Sequence, residues 1–340
     1  MWGWRDGVRG LAAFRIAVGA PSGGRRRRRP REGCVGADAV DGQNRCWRAG
    51  VDRATRQTVI ATFHHREFDL RQLRRLKREQ GAVVSCVVPT LNEAVTIVGV
   101  LAALRRNVLV DELVVIDSGS MDGTRDLARA AGAVVYEASE IRPDLGPATG
   151  KGENLWKSLW VTRGDIIVFI DGDLRNPHPR FITGLVGPLL TRPELAYVKA
   201  FYERPGGGGR VTEILVRPLL RQFFPELAGM RQPLAGEYAA RRAVLEELPF
   251  PAGYSVETTH LIDFLRRFGV HGLAQTDLER RVHRTRPLED LGRMSDAILR
   301  SVLARLPGAL PSAATGLDGG ELERPPFRAV LPTAETTADS

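Results

Sequence analysis

Apolar residues in this chain come in short blocks that stop at polar loops and resume at helical spacing. Residues 83–88 form one such block. Pro89-Thr90-Leu91-Asn92-Glu93 follows it, and then Ile97, Val100, Leu101 and Leu104 recur as one face of a helix. The next unit repeats the order. A block from Glu112 ends at Asp117, the loop Ser118-Gly119-Ser120-Met121-Asp122-Gly123-Thr124 is rich in turn formers, and a helix is predicted through Leu127 to about Ala131. Residues 134–136 read as a third strand, and residues 166–170 as a buried strand that ends in Asp171-Gly172-Asp173. Strands alternating with helices of this length predict an α/β fold whose parallel sheet has right-handed crossovers and a nucleotide-binding half.

Ligands of such sheets collect beyond the carboxyl ends of the strands, so the loops after these strands are the candidate site. Asp171 and Asp173, spaced i, i+2, can hold a hard divalent cation that neutralises a diphosphate; the competing reading is a solvated acidic turn. Asp117 can accept hydrogen bonds from a nucleoside base or ribose. Lys151 follows Gly150 and opens a helix carrying Leu155, Trp156 and Leu159, which places an ammonium where a phosphate would meet a helix N-terminus. Four glycines, 206–209, followed by Arg210-Val211-Thr212, gather free amides, a guanidinium and a hydroxyl; a flexible linker is the plain alternative. Glu257 reads either as a sugar-binding acid or as a first-turn partner of the helix dipole. His283, in the strand-like alternation 281–287, is either structural or a ligand that completes an aspartate-based metal site.

Neither first loop carries Gly-x-Gly-x-x-Gly, and no Gly-Lys-Ser/Thr phosphate loop occurs, which disfavours a dehydrogenase and a P-loop enzyme. Several segments, taken in order, resemble the bacterial glucosyl-3-phosphoglycerate synthases. They are the Pro89 to Glu93 loop, Asp117-Ser118-Gly119-Ser120, Gly150-Lys151-Gly152-Glu153, Asp171-Gly172-Asp173-Leu174, the Gly208 to Glu213 segment, Gln232 to Tyr238, and Gly253-Tyr254-Ser255-Val256-Glu257. The similarity spans about residues 60–305. It implies a GT-A glycosyltransferase fold, with a nucleotide-binding parallel-sheet half at 82–198 and an acceptor-binding subregion at 199–305. The implied reaction is a retaining transfer of glucose from UDP-glucose to D-3-phosphoglycerate with Mg²⁺ or Mn²⁺. The resemblance assigns the nucleotide sugar to Pro89, Thr90, Leu91, Asn92, Glu93, Asp117, Ser118, Lys151, Asp171 and Gly172, and the acceptor to Gly209, Arg210, Thr212, Arg281 and Thr285. It assigns the metal to Asp173 and His283, and catalysis to Asp173, Lys151 and Glu257. Two departures stand out. Thr285 occupies a place where the family typically has Asn, and Gly172 one where Ser is common. Neither removes charge from the site, so substrate identity is less secure than catalysis, and a mannosyl-3-phosphoglycerate synthase using GDP-mannose is the alternative. Another GT-A glycosyltransferase of the family 2 kind stands below it.

Composition changes the picture mainly at the start of the chain. Of 49 Lys and Arg, 19 lie in residues 1–80 against 8 of the 40 acids, leaving 30 basic and 32 acidic residues beyond. The formal net charge of +9 is therefore an N-terminal property, and a nucleic-acid-binding surface on the catalytic part is poorly supported. Residues 1–55, with five arginines from Arg25 to Arg29 and no periodicity, read as a disordered basic arm. With no methionine between Met1 and Met121, translation starting near Val51 or Val59 is an expectation. There is no long apolar span, and Arg15 interrupts the only candidate signal core, so a cytoplasmic enzyme is expected. Three cysteines form no disulfide framework and fit a reducing compartment. Residues 306–340 read as a disordered tail. Leu288, Leu291, Met294, Ile298 and Val302 before them predict a helix that packs on the core or across a homodimer interface. An inverting polysaccharide synthase would need a Gln-x-x-Arg-Trp helix and membrane spans, and a sugar-nucleotidyltransferase would need a Gly-rich first loop; neither pattern is present. A non-enzymatic nucleotide-binding module is the remaining rival.

Overall fold

The computed structural model describes residues 59–205, 208–282, 287–308 and 322–331. Among these, eight strands form one sheet in the order β1-β9-β6-β7-β5-β2-β3-β4. One half comprises β2 (Val84–Thr90), β3 (Glu112–Asp117), β4 (Val134–Glu137) and β5 (Ile166–Phe169), all mutually parallel. The other half holds β1 (Ala61–His64), β6 (Tyr197–Glu203) and β9 (Leu273–Arg280), also parallel to one another. Between the halves lies β7 (Tyr238–Arg241), antiparallel to both β5 and β6. The parallel half was expected; this reversed central strand was not.

Helices cover both faces. They are α1 (Leu70–Gln80), α2 (Ile97–Arg105), α3 (Thr124–Ala130), α4 (Lys151–Val161), α5 (Arg180–Thr191), α6 (Arg217–Phe223), α7 (Arg242–Leu245), α8 (Val256–Phe268) and α9 (Leu288–Leu303). Alternate residues of β5 feed the two cores. Ile167 and Phe169 join Trp156, Tyr238, Phe250 and Phe264 on one face, while Ile166 and Val168 join Leu101, Phe181 and Leu185 on the other. A strand buried on both faces needs a continuous apolar run, which is why this segment showed no alternation. Chain breaks follow local chemistry: Asp69 caps α1 by accepting from the Gln72 amide at 2.8 Å, and Gly81 ends it in the left-handed region at φ 63°.

One expectation about organisation is corrected. Residues 322–331, read as part of a tail, belong to the fold. Glu323–Arg324 (β10) pairs antiparallel with Phe250–Pro251 (β8), and Phe327 is buried against Trp160. The segment is short, charged and proline-rich, so its anchoring depends on distant partners that periodicity does not show. Helix α9 packs Leu291, Met294, Ile298 and Val302 toward the core. The basic arm lies outside the described residues.

Candidate active site

Three strand ends meet where the loops after β2, β3 and β5 converge. Asp117 is fully buried, and its carboxylate accepts from Thr90 Oγ1 at 2.7 Å, Ser120 Oγ at 2.6 Å, and the amides of Gly119 and Ser120 at 3.0 and 2.7 Å. Both oxygens are thus consumed by the protein. In this arrangement Asp117 braces the loops, and the neighbouring Ser118 and Gly119 line the cavity. Asn92, at φ 57°, ties the two loops together by donating its amide to Ser120 Oγ and accepting from the Met121 amide. Glu93 and Ala94 donate to Thr124 and Asp122. None of Pro89, Thr90, Leu91, Asn92 and Glu93 lines either of the two cavities described below; they shape the loop that does.

The end of β5 behaves differently. Asp171 Oδ1 lies 2.5 Å from Lys151 Nζ, and its Oδ2 lies 2.7 Å from Arg281 Nη2. Lys151 is shared with Glu257 Oε1 at 2.7 Å, so Glu257 is a buried member of the site rather than a solvated dipole partner. Arg281 also reaches Glu237 Oε1 at 2.8 Å and Asp173 Oδ1 at 3.2 Å, and Tyr202 OH donates to the other oxygen of Glu237. Although its sequence neighbours are charged, Arg281 has a buried side chain that is the hub of three carboxylates. Gly236 leaves room for this carboxylate, because a Cβ there would stand 2.1 Å from Asp171 Oδ2 and displace it.

Burial alone would raise the Asp171 carboxyl, but Lys151 and Arg281 override it and hold the group well below the usual carboxylate range. Asp173 is pushed the other way. Burial raises it, Arg281 only partly offsets that, and the negative charges of Asp171 and Glu237 add to it. Asp173 is the more exposed of the pair, and its described protein contact is the 3.2 Å approach of Arg281. A partly open carboxylate that its surroundings disfavour as a bare anion is a suitable oxygen donor for a hard divalent cation, so the residues fit Mg²⁺ or Mn²⁺. Lys199 lies buried beneath, its Nζ 4.6 Å from the Tyr238 ring centre, and burial brings its pKa down to about 7 despite Glu257 nearby.

Two cavities flank this cluster. The first, about 150 Å³, is lined by Lys151, Asp171, Asp173, Glu257 and Arg281 together with Arg204, Gly209, Arg210 and Thr212. Residues assigned to donor, metal and acceptor therefore share one space. Thr212 is buried at the start of a π-helical turn, Thr212–Val216, that leads into α6. The second cavity, about 280 Å³, is lined by Ser118, Gly119, the 143–149 loop and Asn154. Asn154 accepts from Ser118 Oγ at 3.0 Å and donates to the Ile116 carbonyl, and Lys151 lies one helical turn away. His283 and Thr285 lie outside the described residues. The chain leading to them is pinned by Arg175 N donating to the Val282 carbonyl and Val282 N to Asn176 Oδ1. Strand β9 ends at Arg280, before the described residues 281 and 282 of the alternation 281–287.

Residues 85–247 match the Glycosyl transferase family 2. The chain is 48% identical over 260 residues to the glucosyl-3-phosphoglycerate synthase of Petrotoga mobilis, covering 72% of this chain and 80% of that protein. The chain belongs to the glucosyl-3-phosphoglycerate synthase family. The glucosyl-3-phosphoglycerate synthase of Mycobacterium tuberculosis, solved in complex with Mn²⁺, UDP and glucosyl-3-phosphoglycerate, superposes with a TM-score of 0.74 at 43% identity, covering 80% of this chain and all of that one. The mannosyl-3-phosphoglycerate synthase of Rubrobacter xylanophilus gives 0.75 at 38% identity, covering 80% and 98%. The architecture is the GT-A fold, and the family is one of hexosyltransferases.

Sequence reasoning missed several residues of this family site. Glu237 and Arg204 reach it through Arg281, Tyr202 and Gln232, and Tyr254 lines the cavity. Glu237 and Tyr254 sit inside the Gln232 to Tyr238 and Gly253 to Glu257 motifs, so the signal is present without a role. Arg204 had none.

Proposed function

We propose that this chain transfers glucose from UDP-glucose to D-3-phosphoglycerate with retention at the anomeric carbon. The observation that carries this reading is the single cavity in which Lys151, Asp171, Asp173 and Glu257 face Arg204, Arg210 and Thr212. A donor diphosphate needs cations and a metal-binding carboxylate, and an acceptor bearing a phosphate and a carboxylate needs arginines and hydroxyls within a bond's reach of the sugar. The adjoining cavity beside Ser118 and Asn154 suits the nucleoside.

Asp173 would hold the divalent cation, with His283 as the second ligand by resemblance; once bound, the ion supplies charge neutralisation for the departing diphosphate. Lys151 stays protonated, since Asp171 and Glu257 outweigh the effect of its burial and raise its pKa. It can therefore exchange a carboxylate for a donor phosphate oxygen without losing its charge. Glu257 orients hexose hydroxyls. Gly209, Arg210, Thr212 and Arg281 grip the acceptor. Asp171 and Glu257 are both ion-paired to Lys151, which leaves neither as a free nucleophile. That supports attack by the acceptor hydroxyl on the face the phosphate leaves, its proton passing to the leaving phosphate oxygen. No described helix is long and apolar enough to cross a membrane, and a cytoplasmic site of action accords with the nature of the substrates.

Assay of UDP-glucose, GDP-glucose and GDP-mannose against 3-phosphoglycerate, with and without Mn²⁺, tests the reading. UDP-glucose should be preferred by roughly tenfold or more in kcat/KM, the scale of one specific contact. Preference for GDP-mannose would move the chain to the mannosyl reaction.

A further inference from the structure

The C-terminal segment 322–331 does more than cover the core. Arg324 is buried and spends its guanidinium on four acceptors: Nε lies 2.8 Å from Glu153 Oε2, Nη2 lies 2.9 Å from Glu153 Oε1, Nη1 lies 2.7 Å from the Leu145 carbonyl, and Nη2 lies 2.9 Å from the Gly146 carbonyl. Glu153 is itself fully buried in the first turn of α4, two residues beyond Lys151. Gly146 belongs to the wall of the cavity beside Ser118. The same segment also grips the connection that carries Glu257, since β10 pairs with β8 and the Ala252 amide donates to the Leu322 carbonyl at 2.7 Å; that connection in turn meets α4, the amides of Gly152 and Glu153 donating to the Gly253 and Ala252 carbonyls. The contact is close, since a Cβ on Gly152 would lie 1.8 Å from the Pro251 carbonyl oxygen. Trp156 Nε1 completes the hold by donating to the Pro325 carbonyl at 3.0 Å.

We infer that Arg324 is a positioning residue for the donor side of the site, setting the Lys151 turn and the 143–149 loop against each other and against the strand leading to Glu257. This rests on the reading of Lys151 and that loop as donor-binding. The planar fork matters. A bidentate carboxylate plus two carbonyls uses a donor arrangement that lysine, with one ammonium, cannot reproduce. The residues assigned to the acceptor, Arg210 and Thr212, lie on a different element, at the turn that leads into α6.

The test uses the full chain with Arg324→Lys and, separately, the isosteric Glu153→Gln. For each, kcat/KM for UDP-glucose should fall roughly tenfold or more while KM for 3-phosphoglycerate stays within about twofold, because misplacement is confined to the donor side. Hydrogen exchange should show lost protection over residues 145–156, with α2 and α5 unchanged. Equal losses for both substrates, uniform loss of protection, or no change in either readout would overturn the inference. If Arg324→Lys does not fold, Glu153→Gln is judged by the same criteria. Should the wild-type chain not turn over UDP-glucose, the functional reading fails while the exchange pattern still decides whether Arg324 holds the turn and loop together.

Discussion

Asp117 ends β3 and Asp173 follows the carboxyl end of β5 in the same half-sheet, yet they do opposite work. Asp117 is sealed, with two amides and two hydroxyls satisfying its oxygens and no accessible surface. Asp173 is partly open, lies among other carboxylates, and is approached by a guanidinium at 3.2 Å. The difference lies in what satisfies the oxygens. Asp117 is held by two hydroxyls and two backbone amides, with the Arg125 guanidinium farther off at 3.8 Å, which makes it a structural tie, whereas the closer side-chain cation on Asp173 leaves that acid exchangeable for a metal or a substrate.

The sharpest way to break this contrast is Asp173→Ala. Turnover should fall by about 10³-fold, roughly 4 kcal/mol of barrier, while thermal unfolding moves little. Retained activity would remove the metal assignment. Asp117→Ala should do the reverse. Its buried donors lose their acceptor, so stability drops by about 3 kcal/mol, and activity per folded molecule survives; thermal melts read beside active-site titration check this. Next, Arg210→Ala should raise KM for 3-phosphoglycerate far more than for UDP-glucose, a loss of about 2 kcal/mol for a charge-assisted contact. Equal effects on both substrates would instead make Arg210 a general structural residue.

The smallest expected effect concerns Lys199. Its folded pKa of about 7 lies below the ordinary 10.5, so the unfolded chain binds more protons between those values. Its burial penalty is therefore complete below about pH 7 and relieved as pH approaches 10.5, and stability rises with pH across that window. Lys199→Met should flatten this rise and stabilise the chain near neutral pH by about 1 kcal/mol, the relief being offset in part by the lost contact with the Tyr238 ring. Denaturant midpoints at pH 7 and pH 10 measure both.

Much of the parallel half was legible because the buried strands 84–90 and 166–169 are continuous apolar runs, a local signal. Lys151, Asp173 and Glu257 were legible as chemistry because each sits at a strand end or a helix start. What distinguishes Asp117 from Asp173 was not, since both are acids after apolar strands and only the packed loops show which oxygens are spent. The burial of Arg281 was not legible because its sequence neighbours are charged; it depends on Glu237, 44 positions earlier in the chain. The 322–331 segment carries no periodicity, and its anchor is a pair formed with a residue 171 positions away.

The most direct measurement of the central contrast is binding of Mn²⁺ in the presence of UDP, followed by calorimetry or by the spin-resonance signal of the ion, in Asp173→Asn and Asp117→Asn. The account predicts that Asp173→Asn weakens Mn²⁺ binding by roughly 100-fold, as loss of a ligating carboxylate should. Asp117→Asn should leave it within about threefold per folded molecule, as for a change remote from the ion. Unimpaired binding in Asp173→Asn, or an equal loss in both variants, would contradict the claim that the two strand-end acids divide structure from chemistry.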